Sequence, residues 1–216
     1  MKKALIVLAL IIPALSLSAQ EVYLPAHAAK SGVDLFSAIA NRRISRTYVK
    51  KEIPLAEVST LLWAGIGSRG PDAVSSATKA NRNVSFSGDN AYINMYYLTD
   101  KGSWKYIPEK NALATVRSGD SRQEVSTAAI PSASALILYT IDTTLIPPFL
   151  KSYPSLFVEM GHATAGFAAQ NVGLTASALN LASIVQYTLN AKGAAEVLKL
   201  GKGEVPLFIQ QLGYTE

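Results

Sequence analysis

Cysteine is absent from the chain, which excludes disulfides, a thiol nucleophile, lipid attachment at a cysteine and any thiolate metal site. Histidine is nearly absent. Only His27 and His162 occur, too few to complete a metal site with nearby acids. Charged residues make up 16% of the sequence and are scattered, apart from one arginine cluster. No basic stripe suggests nucleic acid, and no basic amphipathic helix suggests a membrane surface. No Gly-x-Ser-x-Gly elbow and no Gly-rich phosphate loop are present, which removes the common serine-hydrolase and nucleotide-fold enzymes. The apolar run at the start falls short of the ~20 residues that span a bilayer.

That run has a different reading. Met1-Lys2-Lys3 is a short positive region, Ala4 to Leu17 is almost unbroken apolar sequence, and Ser16 to Gln20 offers small residues. Charge, apolar core and small residues in that order are expected of a secretory signal. The chain therefore divides into a signal peptide at 1–20, an N-terminal extension at 21–33 and one domain at 34–216. The protein is expected to be exported, periplasmic or secreted, and free of the membrane after cleavage. Removing Lys2 and Lys3 lowers the net charge from +5 to about +3, a mild balance. Hydrophobic residues at 49% are enough for one well-buried core.

Within the domain, Asp34 to Arg43 reads as a helix capped by Asp34, with Leu35, Phe36, Ile39 and Ala40 on one stripe. Pro54 opens a second helix that runs to Gly65 and Gly67. Ser68 to Asn90 is polar and broken by glycine and proline, a loop long enough to be functional or mobile. Ile93 to Leu98 and Trp104 to Ile107 read as strands joined at Gly102, and Arg122 to Ala129 as a helix. Ala135 to Ile141 is a continuous apolar run of the central-strand kind. Pro154 to Leu181 is the longest helix, apolar almost all round and rich in Ala and Gly, suited to a core or to a twin. A helix at Ala194 to Leu200 and a strand at Pro206 to Leu212 finish the chain. Without regular βαβ alternation, the fold class is α+β.

Two groups of residues could carry chemistry. Arg42, Arg43 and Arg46 lie where a helix ends and an extended segment begins. Guanidinium forks match phosphate, although cations at a helix C-terminus also complement its dipole for a few tenths of a kcal/mol. Glu159 and His162 share a helix face, where a hydrogen-bonded histidine near an interface is the simpler reading.

The order of segments resembles the nitroreductase family. Asn41-Arg42-Arg43-Ile44-Ser45-Arg46-Thr47-Tyr48 is similar to its Arg-Arg-Ser-x-Arg-x-Phe/Tyr segment, and Leu55 to Gly67 to its next helix. Arg82 to Tyr97 stands in the place of its Pro-Ser-Ala-x-Asn-x-Gln loop and following strand. Gly119 to Arg122, Ala135 to Ile141, Gly166 to Asn171 and Pro206 to Tyr214 continue the match, which spans Asp34 to Tyr214. The resemblance, closest to an exported subgroup related to azoline-forming dehydrogenases, implies an antiparallel central sheet flanked by helices. It also implies a homodimer with the long central helix at its interface and FMN bound between the subunits. Carried over, Arg42, Arg43, Ser45 and Arg46 hold the flavin phosphate and ribityl end, and Ser87 and Asp89 sit near the ring. Val185, Gln186 and Tyr187 pass the reactive edge with a backbone N–H near N5, a preorganised dipole. The implied activity is ping-pong electron transfer through FMN to a small conjugated acceptor, with no catalytic acid or base.

Several positions depart from the family pattern. Ile44 replaces a common Ser, Ser85-Phe86-Ser87 replaces Pro-Ser-Ala, Asp89 replaces Asn, Ala91 replaces Gln, and no Gly stands in Val185 to Thr188. No basic residues follow the last strand before Glu216. An ionised Asp89 cannot donate a hydrogen bond and disfavours an anionic reduced flavin. Two other readings follow: a non-catalytic binding protein that kept the dimeric fold and lost FMN, and a flavin storage or delivery protein.

Overall fold

The computed structural model describes residues 20–28, 32–69, 81–129 and 132–216. The signal segment, part of the extension and the middle of the polar loop fall outside these residues. Seven strands form one antiparallel sheet: β1 (Glu21–Tyr23), β2 (Ile93–Leu98), β3 (Gly102–Ile107), β4 (Ala112–Ser118), β5 (Ala135–Asp142), β6 (Ala182–Gln186) and β7 (Glu204–Gly213). Their spatial order is β1-β4-β3-β2-β5-β7-β6. Helices α1 (Leu35–Ala40), α2 (Leu55–Ile66), α3 (Pro154–Ala178) and α4 (Ala191–Val197) complete the domain. The α+β expectation with an antiparallel sheet holds.

Helix starts follow local chemistry. Asp34 caps α1 by accepting from Ser37 N–H at 3.0 Å and from the Ser37 hydroxyl at 2.6 Å. Pro54 precedes α2, and Gly67 closes it where any Cβ would strike Trp63. Pro154 opens α3 at a position whose N–H needs no partner. The first helix is shorter than its expected extent to Arg43, because Asn41 caps it and releases the arginines into extended chain.

One expected element is absent. Arg122 to Ala129 is a run of turns, not a helix. Ser126 Oγ donates locally to Ala128 O and Thr188 O, and Thr127 N–H donates to Thr188 O, so strand-like pairing with 188–190 outcompetes a helical ladder.

Strand β5 is buried on both faces. On one face Met95, Tyr97, Ile137 and Tyr139 pack under α2 and α3 with Leu61, Leu62, Phe157 and Val172. On the other, Tyr96, Leu98, Leu136, Leu138 and Ile209 meet Val125, Ala194 and Leu198. Pro206, which cannot donate to a ladder, sits beside the register shift of the β5–β7 pair at Tyr139/Thr140. Among the described residues no helix is long and apolar enough to cross a membrane, and no three metal-ligating side chains cluster.

Candidate functional site

The arginine segment leaves α1 and runs along the outer edge of β6, tied there by Ser183 N–H donating to Arg43 O at 3.0 Å. Arg42, Arg43 and Arg46 are all exposed, and among the described residues none forms an ion pair. The extended backbone separates their side chains. Arg42 lies over Gly173, its Cδ 3.9 Å from where a Cβ would be, beside Ser183 and Gln210. Arg43 turns instead into a cleft of about 280 Å³ with Ser37, Asn41, Ser177 and Asn180, near the end of α3. A cation there also complements the negative pole of the helix.

Ser45 is committed locally. Its hydroxyl donates to Thr47 O and accepts from Thr47 N–H, while Ser45 O accepts from the Tyr48 hydroxyl at 2.7 Å. Burial pushes the Tyr48 phenol well above its usual pKa, so it stays a neutral donor.

Behind Arg42 lies a buried polar relay that the residue patterns did not single out. The Tyr139 hydroxyl donates to Gln210 Oε1 at 2.6 Å, and Gln210 Nε2 donates to Ser183 Oγ at 2.6 Å and Ala169 O at 3.1 Å. Burial raises the Tyr139 pKa. The relay fixes β6 and α3 to β7 in one geometry, since every buried polar group in it has a partner. Its signal in the sequence is Gln210-Gln211 inside an apolar strand.

Beyond the tie at Ser183, β6 presents its edge to solvent. An edge strand repeats every two residues, so Val185 N–H leaves the same edge as Ser183 N–H, and among the described residues it has no hydrogen-bond partner. Val185 and Tyr187 are exposed, Tyr187 at 73%, and Ile44 is exposed at 60%. The Tyr187 ring lies against Phe208 with centroids 5.7 Å apart. The Gln186 amide oxygen accepts from Gln211 at 2.6 Å, which holds that side chain to the sheet.

Ser87 and Asp89 lie elsewhere in the chain. Ser87 N–H donates to the Tyr92 hydroxyl, which sits 3.2 Å from Thr164 Oγ1. Gly88 adopts φ +90° against Pro147, and Asp89 is exposed beside it. Thr164 and Gly173 are nine residues apart on α3, about 13 Å along its axis at 1.5 Å per residue. The expected residues therefore form two groups, one beside the middle of α3 and one towards its C-terminal end. Phe86, which stands where a serine was expected, is a core residue in edge-to-face contact with Tyr92. His162 follows the simpler reading, its Nδ1 bonded to Val158 O one turn back.

Known proteins share this fold. The chain is 23% identical over 187 residues to a Methanocaldococcus jannaschii protein named as a nitroreductase, covering 84% of this chain and 91% of that one. A Ralstonia eutropha JMP134 structure, named likewise, superposes with a TM-score of 0.80 at 23% identity, covering 94% of this chain and 93% of that one. The NADPH:FMN oxidoreductase of Vibrio harveyi superposes with a TM-score of 0.58 at 19% identity, covering 84% of this chain and 69% of that one. The model of the nitroreductase family matches residues 39–214, from the end of α1 through the sheet to Tyr214, and the chain belongs to that family.

Proposed function

We propose that the protein is an exported, FMN-dependent oxidoreductase that works as a homodimer on small conjugated acceptors. The observation that carries this reading is the exposed Arg42 and Arg46, without an ion-pair partner among the described residues, on the segment that runs beside the open apolar edge of β6. An exposed guanidinium without a protein counter-charge is open to an anion, and a phosphate is the anion its fork matches. Ile44, Val185 and Tyr187 supply an apolar seat for a flat ring system, and Val185 N–H supplies a donor at its edge. These residues fit FMN. The Vibrio harveyi relative is an FMN oxidoreductase by name, which supports the same cofactor.

Bound FMN supplies reversible hydride and electron transfer between a donor and an acceptor, in the ping-pong order expected of the family. The chain contributes the rest. Arg42 and Arg46 neutralise the phosphate, the relay behind Arg42 keeps the β6 edge rigid, and Val185 N–H stabilises charge that develops at the seat. Ser87, through Tyr92, stands by Thr164, about 13 Å along α3 from the Gly173 beside Arg42. An antiparallel twin packed along α3 brings Ser87 and Asp89 to the seat from the partner. An exposed apolar surface suits that pairing: Phe36 at 81%, with Leu35, Ile39, Phe149, Tyr153, Leu156 and Phe167.

The test is FMN retention. Purified protein mixed with FMN and gel-filtered should hold a yellow chromophore near one per subunit. Arg42→Ala and Arg46→Ala should each weaken FMN binding roughly 10- to 100-fold, as expected for charge-assisted bonds, while riboflavin binding is unchanged. Arg43→Ala, in its own cleft, should cost much less. A colourless dimer that retains no FMN would instead favour a binding protein that kept the fold and lost the cofactor, a reading to which Ile44 and Asp89 lend support.

A further inference from the structure

We propose that a second polar cleft, separate from the arginine segment, binds a small organic oxyanion, a carboxylate or a phosphate monoester. The cleft measures about 440 Å³, within the range of small-molecule pockets. It forms where the ends of β2 and β4 meet the loop before α2 and the start of β5, and neither Arg42 nor Val185 lines it.

Tyr97 is the central observation. Tyr97 lines the cleft and is only 5% exposed, yet among the described residues its hydroxyl has no hydrogen-bond partner. Glu52, Asp100 and Arg122 line the same cleft as the phenol. Ser134, another lining residue, has a buried hydroxyl that is also without a partner. Leaving a buried hydroxyl unpaired costs about 1–3 kcal/mol, so Ser134, with the Tyr97 hydroxyl on the same cleft, marks a place where an acceptor belongs.

The charges select the sign of that acceptor. Arg122 is fixed by both oxygens of Asp120, at 2.9 and 2.6 Å, and by Ala133 O. Lys101 pairs with Glu52. Those pairs are neutral as units, which leaves Lys50 and Lys51 against Asp100 and hence an excess of positive charge. Burial holds Tyr97 protonated, so it meets a ligand as a donor. A donor floor under a cationic rim is the chemistry of an oxyanion site. A metal ion would need a cluster of acids, and among the described residues none of three exists.

The test is calorimetric titration of the purified protein at pH 7, with ionic strength fixed by sodium chloride, using inorganic phosphate and separately succinate. At least one should bind. Tyr97→Phe should weaken binding about 5- to 10-fold without lowering Tm, because it removes only an unpaired hydroxyl. Lys50→Met combined with Lys51→Met, both at exposed positions, should weaken it as well. The arginine-segment variant Arg42→Ala/Arg46→Ala should bind as before, which separates this site from the flavin seat. Binding of phosphate alone assigns a phosphate monoester, of succinate alone a carboxylate, and of both a general oxyanion site. Absence of heat with either anion overturns the proposal. So does unchanged affinity in Tyr97→Phe, or loss of binding in the arginine variant.

Discussion

Single residues in this fold divide into those that the sequence announces and those that only the assembled sheet explains. The arginine segment announced itself by charge density, but the chain sends Arg42 and Arg43 to different surroundings, and no spacing rule distinguishes neighbours on an extended strand. Glu204 was silent. It lies 8% exposed by side chain and accepts from Asn94 at 3.0 Å, Tyr96 at 3.0 Å and Thr140 at 2.6 Å, with Lys105 at 3.7 Å. Those donors come from three different strands, β2, β3 and β5, so their meeting depends on register, which single-sequence patterns do not specify. Glu204→Ala should destabilise the protein by about 3 kcal/mol in urea denaturation, since it strands three donors at once, and Glu204→Gln should cost less. Loss below 1 kcal/mol would mean that water replaces the carboxylate freely. Asp120 gives a pH signature of known sign. The hydrogen bond from Arg122 holds its carboxyl below the usual range, outweighing partial burial. A folded-state pKa below the unfolded value of about 3.9 contributes stability that is complete above that value and drains away as pH falls through the folded one. Asp120→Asn should therefore flatten the acid side of the Tm-against-pH profile. A profile unchanged by the substitution would show that the exposed side of the pair is fully screened.

At the scale of elements, periodicity and punctuation located most of the structure, and the failures have physical causes. Pro54, Pro154, Gly67 and Asp34 mark real helix ends. The expected helix at Arg122 to Ala129 has helical spacing but is claimed by pairing with residues far along the chain. β4 escaped notice because Ala112-Leu113-Ala114-Thr115 carries little alternation, and β1 because it is a three-residue edge that only β4 holds in place. The Ala/Gly content of α3 was read as fitness for close packing, and Gly161 shows how close. A Cβ there would lie 2.5 Å from Ile141 Cδ1 and 3.3 Å from Ile141 Cβ on the central strand. Gly161→Ala should cost about 1–3 kcal/mol by overpacking, despite the gain in helix propensity. Ile141→Val removes the nearest atom, so the double variant should recover part of that loss. Additive losses in the cycle would show that the clash is relieved by movement of α3 instead.

For the whole molecule the question is whether one chain is a complete site. Ser87 and Asp89 stand beside Thr164, Arg42 stands beside Gly173, and about 13 Å of α3 separates them. In the proposed homodimer the second copy would supply one of these groups, and the exposed aromatic and aliphatic residues of α1 and α3 offer the surface for it. Phe36→Asp with Phe167→Asp places two carboxylates on that surface without touching either group of site residues. The variant should elute as a folded monomer by light scattering, with native circular dichroism. If the seat is shared, its FMN affinity should fall at least about tenfold, because each monomer keeps the arginines and the β6 edge but loses the partner's loop. A monomer that binds FMN as tightly as the parent would place the whole seat in one chain, and Ser87 and Asp89 would then have no part in it. A variant that remains dimeric would show that the subunits meet on another face.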